Sequence, residues 1–231
     1  MSADIEHFDL TDRRAVILAA DNPAGQAIAD AYEEAGARVI RLDEMPAEKV
    51  AQRVDAAAEK LGGLNILASA PDRFLARPVE RVTMDDLTDT MMANFATQFV
   101  ASQAALAHIR KAGPPGSIVL TTSVLGERGL PNTSVYSAAQ GAVFNFVRAL
   151  AQELAPEGIS VNGIELGWME WMSDRIDKKD ESAARAVRFT LSKRAGKPED
   201  VGPLAVWLSG SGVGFVTGQV FPVDGGLTQH L

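Results

Sequence analysis

Two hydroxyl side chains, Ser123 and Tyr136, and the amide of Gln140 form the group whose types and spacing suit chemistry. Ser123 closes the apolar run Ser117-Ile-Val-Leu-Thr-Thr-Ser123, read as a buried strand. Tyr136 opens the helix that follows. Gln140 lies one turn beyond Tyr136 on the same face, because residues i and i+4 are neighbours on a helix. Both hydroxyls donate and accept hydrogen bonds, and a phenol can also pass a proton. An unperturbed tyrosine ionises near pH ~10, so the phenol is neutral at pH 7 unless a cation stands beside it. Gln140 hydrogen-bonds but carries no charge.

The elements that must position this group alternate in type. Residues 15–20 are a short apolar run, read as a buried parallel strand. Asp21-Asn-Pro-Ala-Gly25 is turn chemistry, and 26–35 is helical, stopped by Gly36. A second strand spans 38–42 and ends at Asp43. Pro46 suits a first helical turn, and that helix runs to Leu61 before Gly62-Gly63. The next strand is 64–68. Thr83-Met-Asp-Asp signs a helix start with Thr83 as cap, and a long helix continues through Asn94 to Lys111. After the strand ending at Ser123, a second long helix carries Tyr136, Gln140, Phe144 and Val147. Residues 159–164 are another strand, 168–193 a charged amphipathic excursion over the site, 198–209 a further helix, and 219–223 the last strand. The pattern predicts one domain, 1–231, of α/β class with a Rossmann-like, doubly wound parallel sheet.

Composition narrows the function. The chain has 231 residues, 46% of them hydrophobic, enough for a single core. It has no cysteine and three histidines, so disulfides are excluded and a His/Cys metal site is not expected. A formal net charge of −8 disfavours nucleic acid and anionic membranes as partners. The polar N-terminus does not read as a signal peptide, and no apolar run is long enough to span a bilayer. A cytoplasmic location is the expectation.

Taken in order, several stretches resemble the short-chain dehydrogenase/reductase family. Phe8-Asp-Leu-Thr resembles its lead-in to the first strand, Asn94 its helix asparagine, and Ser123 with Tyr136 its serine-to-tyrosine interval. Leu154-Ala-Pro-Glu-Gly-Ile-Ser-Val-Asn162 resembles the approach to its substrate loop. Arg194-Ala-Gly-Lys-Pro-Glu-Asp200 and Val216-Thr-Gly-Gln-Val-Phe-Pro-Val-Asp-Gly-Gly226 resemble its C-terminal signature. The resemblance implies that Tyr136 is a general acid/base, that Ser123 positions the substrate oxygen, and that Asn94 supports a water-linked proton relay. It also implies dimers or tetramers built on the helices of Asn94 and Tyr136, where Ala101, Ala104, Ala105, Ala142 and Ala149 either supply small pairing faces or simply face the sheet. A single helix between the strands at 38–42 and 64–68 leaves the chain one strand–helix unit shorter than the family norm.

The departures all fall on the cofactor side. The family's Thr-Gly-x-x-x-Gly-x-Gly appears as Leu18, Ala19, Pro23 and Gly25, so only the last glycine remains, with close helix–strand packing as its structural role. Proline at 23 removes an N–H donor. The family's Asn-Asn-Ala-Gly appears as Ala68-Ser-Ala-Pro71. Its lysine is Gln140, and a cation ~4 Å from a phenolate at an effective dielectric of ~20 would be worth about 4 kcal/mol. Trp168 and Trp171 either fill the nicotinamide volume or line an apolar ligand pocket, with core packing as the alternative. Asp43 either binds a ribose or caps the helix at Pro46, the cap being preferred.

These losses lead to the expectation of a family member without nicotinamide binding and with no cofactor, acting as an atypical ligand-binding protein. In that case it would form a homo-oligomer, or serve as a non-catalytic subunit beside an active homologue. The alternatives are an NAD(P)-dependent oxidoreductase acting on a carbonyl or alcohol, and a cofactor-independent Ser/Tyr enzyme of the type of halohydrin dehalogenases. The expected site residues are Ser123, Tyr136, Asn94 and Gln140 for chemistry, Gly25 and Asp43 for a cofactor, and Trp168 and Trp171 for a small-molecule ligand.

Overall fold

In a computed structural model of the chain, residues 8–175 and 182–229 are described. Part of the predicted excursion at 168–193 therefore lies outside the described residues, as do His7 and His230. Six strands form one parallel sheet: β1 (Arg14–Leu18), β2 (Arg38–Leu42), β3 (Ile66–Ser69), β4 (Gly116–Ser123), β5 (Ile159–Leu166) and β6 (Val220–Val223), in the order β2-β1-β3-β4-β5-β6. The helices are α1 (Pro23–Glu34), α2 (Ala47–Leu61), α3 (Met84–Met91), α4 (Thr97–Ala112), α5 (Ser134–Leu154), α6 (Ser182–Phe189) and α7 (Gly202–Ser209).

The two-residue period of β1 builds both halves of the core. Ala15 and Ile17 face one layer, where Ile28 and Tyr32 of α1 pack with Ala205 and Leu208 of α7. Val16 and Leu18 face the other, against Val50 and Val54 of α2, Ala105 and Ile109 of α4, and Val143 and Val147 of α5. Apolar residues every three or four positions explain why α2 is a helix and which face it buries, and Gly62 at φ 75° ends it in the left-handed region. Thr83 does cap α3, in a reciprocal capping box with Asp86. Ala101 and Ala105 are fully buried against the sheet, so these two alanines belong to the chain's own core and not to a helix-pairing face. Among the described residues no helix is long and apolar enough to cross a membrane.

Strand order reverses beside β1, since β2 lies on one side of it and β3 on the other. Such a switch point opens a crevice at the carboxyl ends of the strands, where ligands of open α/β sheets bind. Ser123 and Tyr136 sit along the same edge of the sheet.

Candidate active site

Tyr136 lies in the first turn of α5, directly after the loop that leaves Ser123 at the end of β4. Its ring is buried, and its phenol donates to Oδ1 of Asp72 at 2.7 Å. Nη2 of Arg175 donates to the other Asp72 oxygen at 2.6 Å. Phe74 braces both ends: its ring meets Tyr136 edge-on with centroids 5.1 Å apart, and the Arg175 guanidinium lies 5.5 Å from its centroid. Burial pushes the Tyr136 phenol well above its ordinary value, and the Asp72 carboxylate pushes it further. Arg175 and Ser123 only partly oppose them. Sequence reasoning missed Asp72 and Arg175. The available signal was an acid placed directly after β3, at the switch point.

Ser123 lines the same small pocket as Tyr136, together with Pro71, Asp72, Gln140, Leu166 and Met172. Its Oγ accepts from the amide of Leu125 at 3.2 Å, capping a short turn, and its hydroxyl is within hydrogen-bonding reach of the Tyr136 phenol. Gln140 is buried and bonded elsewhere: Thr122 donates to its Oε1 at 3.1 Å, and its Nε2 donates to Asn94 at 3.2 Å. The glutamine therefore ties β4 to the next element along.

That element is a π-turn, Met92–Ala96, set between α3 and α4. Asn94 sits in it, fully buried, with both amide protons donated, to the carbonyls of Thr90 (2.9 Å) and Arg73 (3.0 Å). Its oxygen accepts from the Arg73 amide (3.0 Å) and from Gln140. The side chain uses both donors and both acceptor lone pairs, which leaves none for the relayed water that the resemblance implies. Instead it clamps both backbone groups of Arg73, next to Asp72.

A dinucleotide's phosphates would fall at the switch point, against the turn from β1 into α1. Ala19 holds φ 60°, the left-handed conformation for which glycine is the usual residue. Gly25 lies flush on the Ala19 carbonyl: a Cβ there would sit 2.1 Å from its oxygen. The N-terminus of α1 points into the crevice, where helix termini favour anions. Two features limit the donors offered, since Pro23 has no N–H and the Gly25 amide is bonded to Oδ1 of Asn22 at 2.9 Å. Asp43 is exposed just after β2. It does not cap α2, whose cap is Pro46 without a side-chain bond. Asp21 accepts the neighbouring Glu44 amide at 2.7 Å. The opposite half of the groove is tight, with about 10 Å³ left among Pro71, Tyr136, Leu166 and Met172. The phosphate half thus fits such a group, and the ring half is narrow in this conformation. Met172 faces this space, whereas Trp168 and Trp171 pack on the core layer of α1 and α7 and do not line it.

Glu165, one residue before the end of β5, is a second group that sequence reasoning missed. It is 3% exposed, and its Oε1 has no hydrogen-bond partner among the described residues. Burial, with Glu127 and Asp224 adding to it and Arg128 opposing, raises its carboxyl from 4.5 to about 7. The folded state therefore holds a proton that the unfolded chain has released between those values, and stability falls as pH rises from 4.5 to 7. Glu165→Gln should remove a loss of about 2 kcal/mol across that interval, read by urea unfolding at about pH 5 and pH 8. Equal pH dependence in both proteins would refute it.

Comparison with known proteins places this geometry. A family model described as enoyl-(acyl carrier protein) reductase matches residues 7–228. The L-2,3-butanediol dehydrogenase of Corynebacterium glutamicum is 32% identical over 192 residues, covering 77% of this chain and 72% of that protein. A dehydrogenase/reductase structure from Sinorhizobium meliloti aligns with a TM-score of 0.88 at 28% identity, covering 96% of this chain and 97% of that one. A short-chain dehydrogenase from Burkholderia cenocepacia, solved in complex with NADP, aligns with a TM-score of 0.86 at 28% identity, covering 95% and 99%. Relatives that are dehydrogenases, one holding NADP, overturn the expectation of a cofactor-free ligand-binding protein or non-catalytic subunit. The physical reason is at Ala19, which takes a left-handed φ of 60°, a conformation for which glycine is the usual residue, so residue type alone misjudged this turn. From its matched residues and from its sheet, the chain belongs to the short-chain dehydrogenase/reductase family.

Proposed function

We propose that this protein is an NAD(P)-dependent oxidoreductase that interconverts a small alcohol and its carbonyl compound. The observation that carries the reading is the convergence of Ser123 and Tyr136 on one pocket, at the sheet edge that also holds the switch-point turn. Ser123, beside the Tyr136 phenol, hydrogen-bonds the substrate oxygen. Tyr136 exchanges a proton with that same oxygen. The dinucleotide would supply or accept hydride at the carbon. Ala19, Ala24, Gly25 and the α1 N-terminus would face its phosphates, and Asp43 a ribose hydroxyl. Leu166 and Met172 would exclude water from the reacting carbon. The homo-oligomer expected from the resemblance is part of the reading. Phe99 and Met92, exposed beside the Phe95–Phe146 ring pair, offer an apolar face for it, and a native mass above 24.5 kDa is what it requires.

The test is a titration with NADH and with NADPH, followed by energy transfer from Trp168, Trp171 and Trp207. One of the two should saturate the signal in the range of roughly 1 µM to 1 mM typical of enzyme ligands. Turnover should then appear in a panel of secondary alcohols given the oxidised form of the same dinucleotide. If neither dinucleotide binds at millimolar concentration, the reading is wrong.

A further inference from the structure

We propose that Asp72, braced by Arg175, is the proton partner of Tyr136 in a site that lacks the family's lysine. The inference rests on the oxidoreductase reading for its chemistry, but not for its geometry.

Position 140 cannot serve the phenol electrostatically, since its amide is neutral and already bonded to Thr122 and Asn94. The Asn94 side chain cannot relay a proton either, because both its donors and both its acceptor lone pairs are taken. One route out of the phenol is drawn in the structure, the 2.7 Å bond to Asp72. In it the carboxylate accepts and Tyr136 donates, while Ser123 and Arg175 stand on the phenol oxygen's other side. Charge-assisted bonds of this kind are short and directional.

The surroundings hold the carboxylate in that role. Its second oxygen is bound by Arg175 at 2.6 Å, and the two side chains are only 13% and 19% exposed. Pro71 restricts the backbone on one side of Asp72, and the Asn94 clamp fixes Arg73 on the other. Phe74 packs against both Tyr136 and Arg175. The other polar side chains lining the pocket, Thr121, Thr122, Ser123 and Gln140, are uncharged. Glu44 is near enough to feel Asp72 and is held above its ordinary value by burial, Asp21 and Asp72, with Arg73 opposing. An ion pair completed by a phenol, closed in by a proline and an asparagine clamp, is more organisation than core packing requires.

In alcohol oxidation the atoms and electrons balance across two linked transfers. The substrate O–H bond breaks and its proton passes to the Tyr136 oxygen. The phenol's own O–H bond breaks and that proton passes to Oδ1 of Asp72. The two electrons of the C–H bond leave as hydride to the oxidised nicotinamide dinucleotide. Asp72 ends neutral, Tyr136 ends as it began, and the reverse sequence protonates the oxygen in carbonyl reduction.

The chain has only two tyrosines, which makes the assignment readable without any substrate. Tyr32 is buried and bonded to Ser209 at 2.7 Å, and burial raises its phenol beyond the reach of an ordinary titration. Absorbance near 295 nm, followed against pH, should show no phenolate in the native protein below about pH 11. In Asp72→Asn, with Arg175 left facing the phenol, one tyrosine should titrate at least one pH unit lower, and Asp72→Asn/Tyr136→Phe should lose that signal. Asp72→Ser, which removes side-chain bulk, should read the same way if the asparagine variant does not fold. Titration curves for the Asp72 variants that match the native one overturn the assignment. In the dinucleotide-loaded enzyme, Asp72→Asn should lower kcat for alcohol oxidation at least 100-fold, with KM within threefold and the acid limb of the pH profile gone. An unchanged kcat also overturns it. Absence of dinucleotide binding in the native protein, by contrast, removes the oxidoreductase reading and leaves the phenol titration to decide the Tyr136–Asp72 pairing.

Discussion

Gly25→Ala is expected to destabilise the protein by about 3 kcal/mol or more, since overpacking against rigid neighbours lies at the upper end for core insertions. The added Cβ would meet the Ala19 oxygen at 2.1 Å, the Ala19 carbonyl carbon at 2.8 Å and the Ala20 Cα at 3.0 Å. All three are backbone atoms, so no rotamer change relieves the clash. The turn cannot easily yield, because Ala19 already occupies the left-handed region and Asn22 ties the turn to the Ala70 carbonyl across the crevice. For a chain of this length such a loss lowers the melting temperature by roughly 6–12 °C, and dinucleotide affinity should fall with it. Gly129→Ala is the control, since nothing lies within 4 Å of its added carbon. Melting of Gly25→Ala within about 2 °C of the native protein would show that the turn is softer than its geometry implies.

The second large effect is expected at Asn94. Alanine there removes four hydrogen bonds and leaves the Arg73 amide, the Arg73 carbonyl and the Gln140 amide group without their partner in a buried setting. Each unsatisfied buried group costs about 1–3 kcal/mol, so a total near 4 kcal/mol is expected once partial relaxation is allowed for. Urea unfolding measures it. Asn94→Asp separates the two halves of the clamp: it keeps the acceptors for Arg73 and Gln140 but sets a carboxylate against two carbonyls, so it should be no more stable than alanine. Both variants should also loosen the loop of Asp72 and shift the Tyr136 titration. A loss below about 1 kcal/mol in Asn94→Ala would mean that the loop is held mainly by Pro71 and Phe74.

The sheet and its helices were legible because apolar period and end signals agree locally. Residues 38–42 form a strand with the expected bounds, and Thr83 caps its helix as its spacing with Asp86 suggests. The start of α1 was less legible. Asn22-Pro23 reads as a turn in isolation, yet it is an N-cap followed by proline at N1, so the helix begins three residues earlier than expected. Ser123 and Tyr136 could be placed because each sits at an element end. Asp72 and Arg175 could not, since the phenol's partner lies 64 residues away in sequence and the arginine 103 residues from that partner. Pairings of that kind depend on how loops close over the sheet edge, which no local pattern records. The substitutions at Leu18, Ala19 and Pro23 read as losses when residue type stands in for backbone shape. Ala19 shows that a non-glycine residue can hold the same shape when the packing around it leaves no alternative.

The π-turn at Met92–Ala96 has a further consequence, one of chain length. A wider turn inserts extra backbone into the helical ladder, and each residue added to or taken from an α-helix rotates the downstream turns by about 100°. The phase it introduces is what lets Thr90 and Asn94 face the Asp72 loop while Ala101, Ala105 and Ile109 of the next helix face the sheet. Removing one residue would heal the ladder into an unbroken helix with the apolar stripe of α4 still on the core, and would cost the wide turn that holds Asn94 against the Asp72 loop.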